Sequence, residues 1–353
     1  MKHLDMTYRG KKVFVTGHTG FKGTWLTKTL QLLGAEVVGF AIDPFVPSLI
    51  PLEISGSSVT SLAGDIRDLE KLSNAISLAR PDFVFHLAAQ ALVGKSYENP
   101  VDTFSTNVIG TVHLLEAVRR LDHPCRLVVI TSDKVYKNNE WLWGYKETDQ
   151  LGGFDPYSAS KAAAELAISS YASSLFDDRP SRLVIARAGN VIGGGDWAVN
   201  RIVPDCARSW RASTPVSLRN AGAVRPWQHV LEPIRGYLEL GAELEEQPSL
   251  HGEAFNFGPL PDECRTVGEL VHSLSKYWNG FAYETEAAIS IGHETNLLKL
   301  NCEKSASILK WTPRLNFEDT IKMTAEWHQI YRESNDKVDP SYDQISQYLD
   351  LFD

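Results

Sequence analysis

Near the N-terminus an apolar run, KKVFVTG (11–17), passes through three glycines directly into an amphipathic segment. Gly17, Gly20 and Gly23 follow the spacing G-x-x-G-x-x-G. In such a unit the first glycine permits a tight turn, the second lets a pyrophosphate approach the backbone, and the third lets the helix pack on the strand. The free N–H groups of the first helical turn attract phosphate. This order predicts a strand–turn–helix unit that binds a dinucleotide.

The first half of the chain alternates short β-branched runs with longer amphipathic stretches, which is typical of a parallel sheet covered by helices on both faces. Further strands are predicted at 36–43, 58–66, 82–89, 125–132 and 181–189, and helices at 23–33, 69–79, 101–121 and 158–176. From about residue 190 the chain is rich in Gly, Pro and Trp, with shorter helices predicted at 203–212, 266–278 and 317–331. We expect the tail after Ser334 to be loosely ordered.

These patterns predict an α/β fold with a doubly wound parallel sheet. We place a dinucleotide-binding domain at 1–189 and a smaller C-terminal α/β substrate domain at 190–353, with some of its segments returning to the sheet. Acidic residues outnumber basic ones by 44 to 35, and no Lys/Arg-rich run is present, so a nucleic-acid partner is not expected. No apolar run approaches the ~20 residues of a membrane span.

The four cysteines are widely spaced without a C-x-x-C pair, and no H-E-x-x-H cluster is present. Scattered thiols are typical of a reducing compartment, whereas disulfide frameworks and zinc sites use regular spacings. We therefore expect a cytoplasmic protein without a metal.

An acid follows the second predicted strand at the position where a dinucleotide-binding fold contacts ribose. Asp43 lies 20 residues after Gly23, and no arginine follows it. A carboxylate there accepts hydrogen bonds from the adenosine ribose and repels a 2′-phosphate, which favours NAD over NADP. The alternative is that Asp43 is a solvated residue at a strand end.

Tyr157 and Lys161 place a phenol and an ammonium one helical turn apart. A neighbouring ammonium lowers the pKa of a phenol, so we expect Tyr157 to act as a general base. The spacing alone is weak, because Tyr8 and Lys12 share it ahead of the first strand. Tyr157 differs because it begins a helix after the fifth strand.

The fifth predicted strand ends in Ser132-Asp133-Lys134, at the edge of the sheet where ligands bind in doubly wound folds. The Ser132 hydroxyl can hydrogen-bond a sugar oxygen while Tyr157 removes its proton. Asp133 and Lys134 add an acid and a base, which simple alcohol oxidation does not require. The alternative is an ordinary solvated turn.

Longer segments resemble the extended short-chain dehydrogenase/reductases that act on nucleotide sugars. They are GDIRD (64–68), HLAAQ (86–90), STNVIGT (105–111), TSDKVY (131–136), DPYSASK (155–161), RAGNVIGGGDW (187–197) and RPWQHVLEP (225–233). Within that family the chain closely resembles the 4,6-dehydratases of CDP-glucose. They carry Lys at the position that matches Lys134, where other dehydratases have Glu. One departure is Gly94, where those dehydratases usually carry Arg.

The resemblance implies a Rossmann-type fold of the extended class, a homodimer, a nucleoside-diphosphate sugar as substrate, and NAD as cofactor. The implied NAD contacts are Gly17, Thr19, Gly20, Phe21, Lys22, Gly23, Asp43, Asp65, Ile66, Leu87, Ala88, Ala89, Thr106, Tyr157 and Lys161. The implied substrate contacts are Asn107, Asn190, Arg201, Arg219, Arg225, Asn256 and His293. For Asn107 a structural role is equally compatible with its position inside a helix.

The resemblance also implies a reaction: oxidation of the sugar at C4, elimination of water between C5 and C6, and return of the hydride to C6. Tyr157, Lys161 and Ser132 would serve the oxidation, Asp133 would protonate the leaving C6 hydroxyl, and Lys134 would remove the C5 proton. The product would enter deoxysugar biosynthesis, as for lipopolysaccharide O-antigen. Three alternatives stay open, namely a nucleotide-sugar 4-epimerase, a dehydratase of another nucleotide hexose, and a catalytically idle NAD-binding scaffold.

Overall fold

The computed structural model describes residues 2–42, 59–176, 179–218, 220–285 and 296–352. Three of the predicted site residues, Asp43, Arg219 and His293, lie outside this part of the chain.

Thirteen strands are found in the described ranges. They are β1 Lys12–Thr16, β2 Glu36–Ala41, β3 Val59–Ala63, β4 Phe83–His86, β5 Arg126–Ile130, β6 Arg182–Ala188, β7 Val191–Ile192, β8 Val216–Leu218, β9 Val224–Arg225, β10 Gln228–His229, β11 Ala254–Phe257, β12 Arg265–Thr266 and β13 Tyr283–Thr285.

The same ranges contain thirteen α-helices. They are α1 Lys2–Tyr8, α2 Phe21–Leu32, α3 Leu69–Ala79, α4 Val93–Glu98, α5 Pro100–Phe104, α6 Gly110–Arg119, α7 Pro156–Leu175, α8 Ile202–Ala212, α9 Leu231–Glu246, α10 Val267–Ser275, α11 Glu303–Ile308, α12 Phe317–Glu333 and α13 Ser341–Asp350. None of these described helices combines the length and apolar character that a membrane crossing requires.

The main sheet has seven parallel strands in the order β3-β2-β1-β4-β5-β6-β11. The prediction of a doubly wound parallel sheet is confirmed, and all six predicted strands belong to it. Its central strands are buried on both faces, which explains why their sequences are continuous apolar runs instead of alternating ones. The chain reverses direction across the sheet between β1 and β4, where such folds bind their ligands.

Helices cover both faces of the sheet. On one face α2 and α9 pack in a single apolar cluster with Val128 and Ile130 of β5, together with α1. On the opposite face α3, α6 and α7 pack against Leu127 and Val129 of the same strand. Alternate residues of β5 therefore point to opposite helical layers, and the residues that follow the strand lie at the edge between the two layers.

The second half of the chain forms a smaller layer and also returns to the main sheet. Three two-stranded sheets pair β7 with β10, β8 with β13, and β9 with β12. An apolar cluster between α8, α10 and α12 includes Trp210 and Trp278, whose stacked rings are 5.0 Å apart. Because β11 and α9 belong to the main sheet and its helical cover, the boundary near residue 190 stays a prediction.

The tail after Ser334 is ordered where we expected loose structure, so that prediction is wrong. Helix α13 packs on α2, where the fully buried Lys28 ammonium pairs with Asp339 and lies 5.3 Å from the ring of Tyr342. Ser341 accepts a hydrogen bond from the Trp327 indole at 3.1 Å. A buried charge requires a partner, so Lys28 holds the tail on the helix that follows the glycine turn.

Candidate active site

The glycine turn has the local geometry that its sequence predicts. Gly17 has φ +72°, and a Cβ on it would lie 2.7 Å from the Ala88 nitrogen, so no other residue fits there. A Cβ on Gly23 would lie 2.0 Å from the Gly17 carbonyl oxygen, which explains the close packing of α2 on β1. Helix α2 begins at Phe21 after Gly20, and no side chain caps it within the described residues. Its first N–H groups are therefore available to an anion.

The remaining predicted cofactor residues lie along the same edge of the sheet. Leu87, Ala88 and Ala89 follow β4, and Thr19 lies within the glycine turn. Asp65, after β3, pairs with Arg67, and hydrogen bonds from that guanidinium lower the pKa of the Asp65 carboxyl. Two others lie on neighbouring elements. A Cβ on Gly110 would lie 2.5 Å from the Ile66 side chain, and Thr106 lies in a π-helical turn at Ser105–Ile109.

Tyr157 and Lys161 occupy successive turns of α7, and both are buried. The helix begins at Pro156, where Asp155 accepts a hydrogen bond from the Ser158 amide at 2.9 Å. Lys161 Nζ donates to the Ile130 carbonyl at 3.4 Å, and burial lowers its pKa to about 8.

The pKa of Tyr157 is raised, so our expectation that it would be lowered is wrong. Burial raises the pKa of this phenol, and it outweighs the opposing effects of a hydrogen bond with Ser132 and the positive charge of Arg201. The structure therefore holds Tyr157 as the neutral phenol near neutral pH. To act as a base, it needs the cations around it to favour the phenolate.

Ser132, Asp133 and Lys134 begin a short 3-10 turn immediately after β5. The Ser132 hydroxyl donates to Asp133 Oδ1 at 3.0 Å and accepts a hydrogen bond from the Lys134 amide at 3.2 Å. Asp133 is 3% exposed, and its Oδ2 atom has no hydrogen-bond partner among the described residues. Burial raises the pKa of Asp133, against the opposing charges of nearby cations. A buried carboxyl with a raised pKa is suited to general acid catalysis.

Four cations lie close to Asp133 or Tyr157. Lys134, Lys22 and Arg225 each act on the pKa of Asp133, while Arg201 acts on that of Tyr157. Burial lowers the pKa of Lys22 to about 8, and the charge of Arg201 contributes to this lowering. The structure therefore brings residues from the glycine turn, β5, α7 and the second half of the chain to one place.

Arg201 and Arg225 are positioned by the second half of the chain. Arg201 precedes α8 and pairs with Asp196 at 3.0 Å, and the buried Arg225 donates to the Val224 carbonyl at 2.9 Å. The carbonyl of Asn190, which follows β6, accepts the Gln228 amide at 3.0 Å and so joins the two longest motifs.

Asn107 is buried beside α7, with both amide hydrogens used inside the protein. Its Nδ2 donates to the Gln90 carbonyl at 3.0 Å and to Ser160 Oγ at 2.8 Å, and its Oδ1 accepts the Gln90 amide at 2.8 Å. It lies in the π-helical turn, a feature often found at functional sites. These bonds join the loop after β4 to α7, and the implied substrate contact stays a prediction.

Asn256, on β11, is fully buried in a similar way. Its Nδ2 donates to the carbonyls of Tyr145 and Asn301 at 2.9 and 3.0 Å, and its Oδ1 accepts from the Tyr136 hydroxyl at 2.7 Å. The Asn256 side chain therefore uses its hydrogen bonds to join three separate segments of the protein. Its implied substrate contact also stays a prediction.

Sequence analysis missed a buried ion pair between α7 and β6. Glu165 and Arg187 are almost fully buried, and Arg187 Nε donates to the two carboxylate oxygens at 2.9 and 3.1 Å. Glu165 also accepts from the Thr131 hydroxyl at 2.6 Å. The available signal was the spacing, because Glu165 lies four residues after Lys161 on the same helical face.

The GGGDW segment contacts α2. The Trp25 indole of α2 donates to the Gly194 carbonyl at 2.9 Å, and a Cβ on Gly194 would lie 1.8 Å from the Trp327 ring. Among the described residues, a Cβ on Gly94 would have only Asn200 Nδ2 within reach, at 4.0 Å. The position that departs from the resemblance therefore lies beside the segment that carries Arg201.

Comparisons with known proteins agree with this geometry. The family model described as GDP-mannose 4,6 dehydratase matches residues 14–324. CDP-glucose 4,6-dehydratase of Salmonella typhimurium is 44% identical over 348 residues, which cover 97% of each protein. Among solved structures, an epimerase from Methanothermobacter thermautotrophicus has a TM-score of 0.83 at 24% identity, covering 95% of this chain and 96% of that one. A dTDP-glucose 4,6-dehydratase from Bacillus anthracis in complex with NAD has a TM-score of 0.74 at 23% identity, covering 91% and 97%. The two structures share the fold.

Proposed function

Since this chain belongs to the GDP-mannose 4,6 dehydratase family, we propose that it is an NAD-dependent 4,6-dehydratase that converts CDP-glucose to CDP-4-keto-6-deoxyglucose and water. The observation that carries the proposal is the buried Asp133 carboxyl between Ser132 and Lys134, next to Tyr157. An epimerase needs the tyrosine alone, whereas an elimination also needs an acid and a base. The 44% identity to a CDP-glucose 4,6-dehydratase supports CDP-glucose as the sugar nucleotide.

The glycine turn fits NAD. Gly17 and Gly23 keep side chains out of the turn, and the uncapped start of α2 offers N–H groups to a pyrophosphate. The turn, Asp65 and Lys161 would hold the cofactor along the sheet edge. When bound, NAD would supply the redox chemistry at C4 and C6 of the sugar.

The oxidation stage requires a base for the C4 hydroxyl, and Tyr157 takes this role. Ser132 contacts the phenol and orients the sugar hydroxyl by hydrogen bonding. Burial favours the neutral phenol, and the positive charge of Arg201 opposes this by favouring the phenolate, the form in which Tyr157 acts as a base. Lys161, one turn further along α7, would add a second positive charge. The proton of the C4 hydroxyl ends on Tyr157.

The elimination stage requires a second acid–base pair. The C4 ketone acidifies the C5 hydrogen, and Lys134 removes that proton. Asp133, whose pKa is raised by burial, gives its proton to the leaving C6 oxygen, so that water departs as the C5–C6 double bond forms. The two roles fall on adjacent residues because the 3-10 turn after β5 presents both side chains at the sheet edge.

The substrate diphosphate is assigned to cations from the second half of the chain. Arg201 and Arg225 are the candidates within the described part, with Asn190 beside them. A guanidinium binds phosphate oxygens through paired N–H groups, which suits a diphosphate. The chain carries a net charge of −9, so binding relies on these local charges and on the start of α2.

A direct assay tests the function. Purified protein and NAD⁺ are incubated in deuterated water with CDP-, dTDP-, UDP- and GDP-hexoses in parallel, and the products are analysed by mass and NMR. We expect CDP-glucose to lose one water and to gain one deuterium at C5. Epimerisation would cause neither change, and the absence of turnover with all four nucleotides would support an idle scaffold.

We also propose a homodimer formed through α5, α6 and α7. Large apolar side chains are exposed on these packed helices, among them Val101 (82% exposed) and Leu166 (64%). Burying such side chains against a second copy is favourable because it removes apolar area from water. Sedimentation should give about twice the 39.3 kDa chain mass, and a species of single-chain mass at assay concentration would contradict the proposal.

We place the enzyme in the cytoplasm. Its four cysteines, Cys125, Cys206, Cys264 and Cys302, are free thiols. Unpaired, mostly buried thiols suit a reducing compartment.

A further inference from the structure

Tyr237, in the middle of α9, has a buried hydroxyl without a role in the reaction described above. The side chain is 0% exposed, and its hydroxyl has no hydrogen-bond partner in the described part of the chain. Its ring packs edge-on against Phe257 at 6.0 Å. Burial of an unpaired hydroxyl is unfavourable, and a phenylalanine would fill the same space without that cost. Burial of this hydroxyl is therefore unfavourable unless a hydrogen-bond partner becomes available to it.

Asp133 Oδ2 is a second buried polar atom without a partner in the described residues. The other carboxyl oxygen, Oδ1, accepts the Ser132 hydroxyl. Within the described residues, one of the two carboxyl oxygens therefore has a hydrogen-bond donor and the other has none. After Asp133 gives up its proton, Oδ2 becomes part of a buried anion, for which a missing donor is more costly.

The fold brings these two groups to the same edge of the main sheet. Helix α9 packs on β5 and β6, and the Tyr237 ring packs on Phe257, the last residue of β11, which pairs with Ala188, the last residue of β6. Asp133 follows Ile130 by three residues. The negative charges of Tyr157 and Asp133 both contribute to raising the pKa of Tyr237, which places the three groups within electrostatic reach.

We propose that Tyr237 is a positioning residue that donates its hydroxyl hydrogen to Asp133 Oδ2, directly or through one bridging water, when Asp133 is ionised. This inference rests on the proposed dehydratase function, in which Asp133 is the acid. The donated hydrogen bond stabilises the carboxylate that forms as the proton passes to the leaving C6 oxygen. Tyr237 itself touches neither substrate nor cofactor and keeps its own proton. A water between two such atoms makes bonds nearly as favourable as a direct one.

The other charged groups around Asp133 define what the hydroxyl adds. The positive charges of Lys134, Lys22 and Arg225 favour the ionised form of Asp133. Tyr157, on α7, also interacts electrostatically with Asp133. All of these groups remain when the Tyr237 hydroxyl is removed. The expected effect is therefore that of a single hydrogen bond to a charged oxygen.

Tyr237→Phe removes the hydroxyl and keeps the ring. We expect the turnover of CDP-glucose to fall by roughly tenfold or more, the usual size of one hydrogen bond to a charged group, with KM close to that of the unchanged protein. The basic limb of the pH profile should move to higher pH, because loss of the donor raises the pKa of Asp133. Reduced cofactor, followed by its absorbance, should accumulate during turnover, because oxidation at C4 then runs ahead of elimination.

Tyr8→Phe is the matched control. Tyr8 is equally buried, and its hydroxyl donates at 2.7 Å to the carbonyl of Leu238, which follows Tyr237 on α9. Its loss should reduce stability towards urea and leave the pH profile unchanged. A Tyr237→Phe protein with the turnover and pH profile of the unchanged protein would overturn the proposal.

A second measurement does not depend on activity. The free energy of unfolding in urea is compared for Tyr237→Phe, Asp133→Ala and the double variant at one protein concentration and at a pH where Asp133 is ionised. We expect the effects of the two substitutions to be non-additive, as for groups that interact. Additive effects would overturn the contact. Absence of dehydratase activity in the unchanged protein would instead refute the proposed function, and the urea comparison would still decide the contact.

Discussion

Tyr157→Phe should lower the turnover of CDP-glucose by roughly 10²–10⁴-fold, the contribution typical of a positioned general base. The substitution removes the atom that accepts the C4 proton and keeps the ring that packs at the start of α7. Oxidation at C4 precedes elimination, so reduced cofactor should not accumulate in this variant. Product mass and cofactor absorbance in a single turnover measure both effects.

The pH dependence of the unchanged protein has a definite sign. Burial holds the pKa of Tyr157 above its ordinary value, and only the phenolate can take the proton. The rate of C4 oxidation in a single turnover should therefore rise as the pH is raised from neutral. Tyr8→Phe is again the control, because its buried hydroxyl donates to the Leu238 carbonyl and bonds to none of the groups assigned to the reaction. Near-normal turnover by Tyr157→Phe would refute the assignment of the base.

Arg187→Met should lower the free energy of unfolding by roughly 3–5 kcal/mol, the cost of leaving one member of a buried ion pair without its partner. Glu165 is 2% exposed, and after the substitution the Thr131 hydroxyl is the remaining hydrogen-bond donor to its carboxylate within the described residues. Urea unfolding at fixed protein concentration measures the loss.

Arg126→Met provides the matched control for this stability prediction. Arg126 begins β5 and pairs with Glu245 at 2.5 Å, in a place where water reaches both side chains. A pair of this kind contributes roughly 0–1 kcal/mol. Replacing both Glu165 and Arg187 by apolar residues should recover part of the loss, because no unpaired charge then remains. A loss for Arg187→Met no larger than that for Arg126→Met would contradict the prediction.

Element types were predictable where a periodic pattern extends over a whole segment. The six strands of the first half and helix α3, at 69–79, agree with the sequence patterns to within a few residues. The segment 101–121 was predicted as one helix, and it contains α5, a π-helical turn and α6. Periodicity cannot locate that turn, since the contacts of Asn107 with Gln90 and Ser160 depend on neighbouring elements.

The tail shows the same limit in the opposite direction. Its pattern is polar enough to suggest loose structure, and α13 forms because it packs on α2. The decisive contact joins Lys28 to Asp339 at opposite ends of the chain. From sequence alone, a lysine on a helix is expected to be exposed to solvent, and its burial depends on the tertiary fold. The sequence therefore carried no local signal for α13.

Local chain geometry was readable from the sequence alone. The glycines at 17 and 23, the Tyr157–Lys161 spacing and the Ser132-Asp133-Lys134 order depend on turns and helical periods that involve few residues. Tertiary structure alone decided the direction of the Tyr157 pKa, the partners of Asn256, one of which is 111 residues away, and the burial of a Tyr237 hydroxyl that has no hydrogen-bond partner in the described residues. The physical reason is that burial and hydrogen-bond partners depend on which distant segments pack together, and packing leaves no period in the sequence.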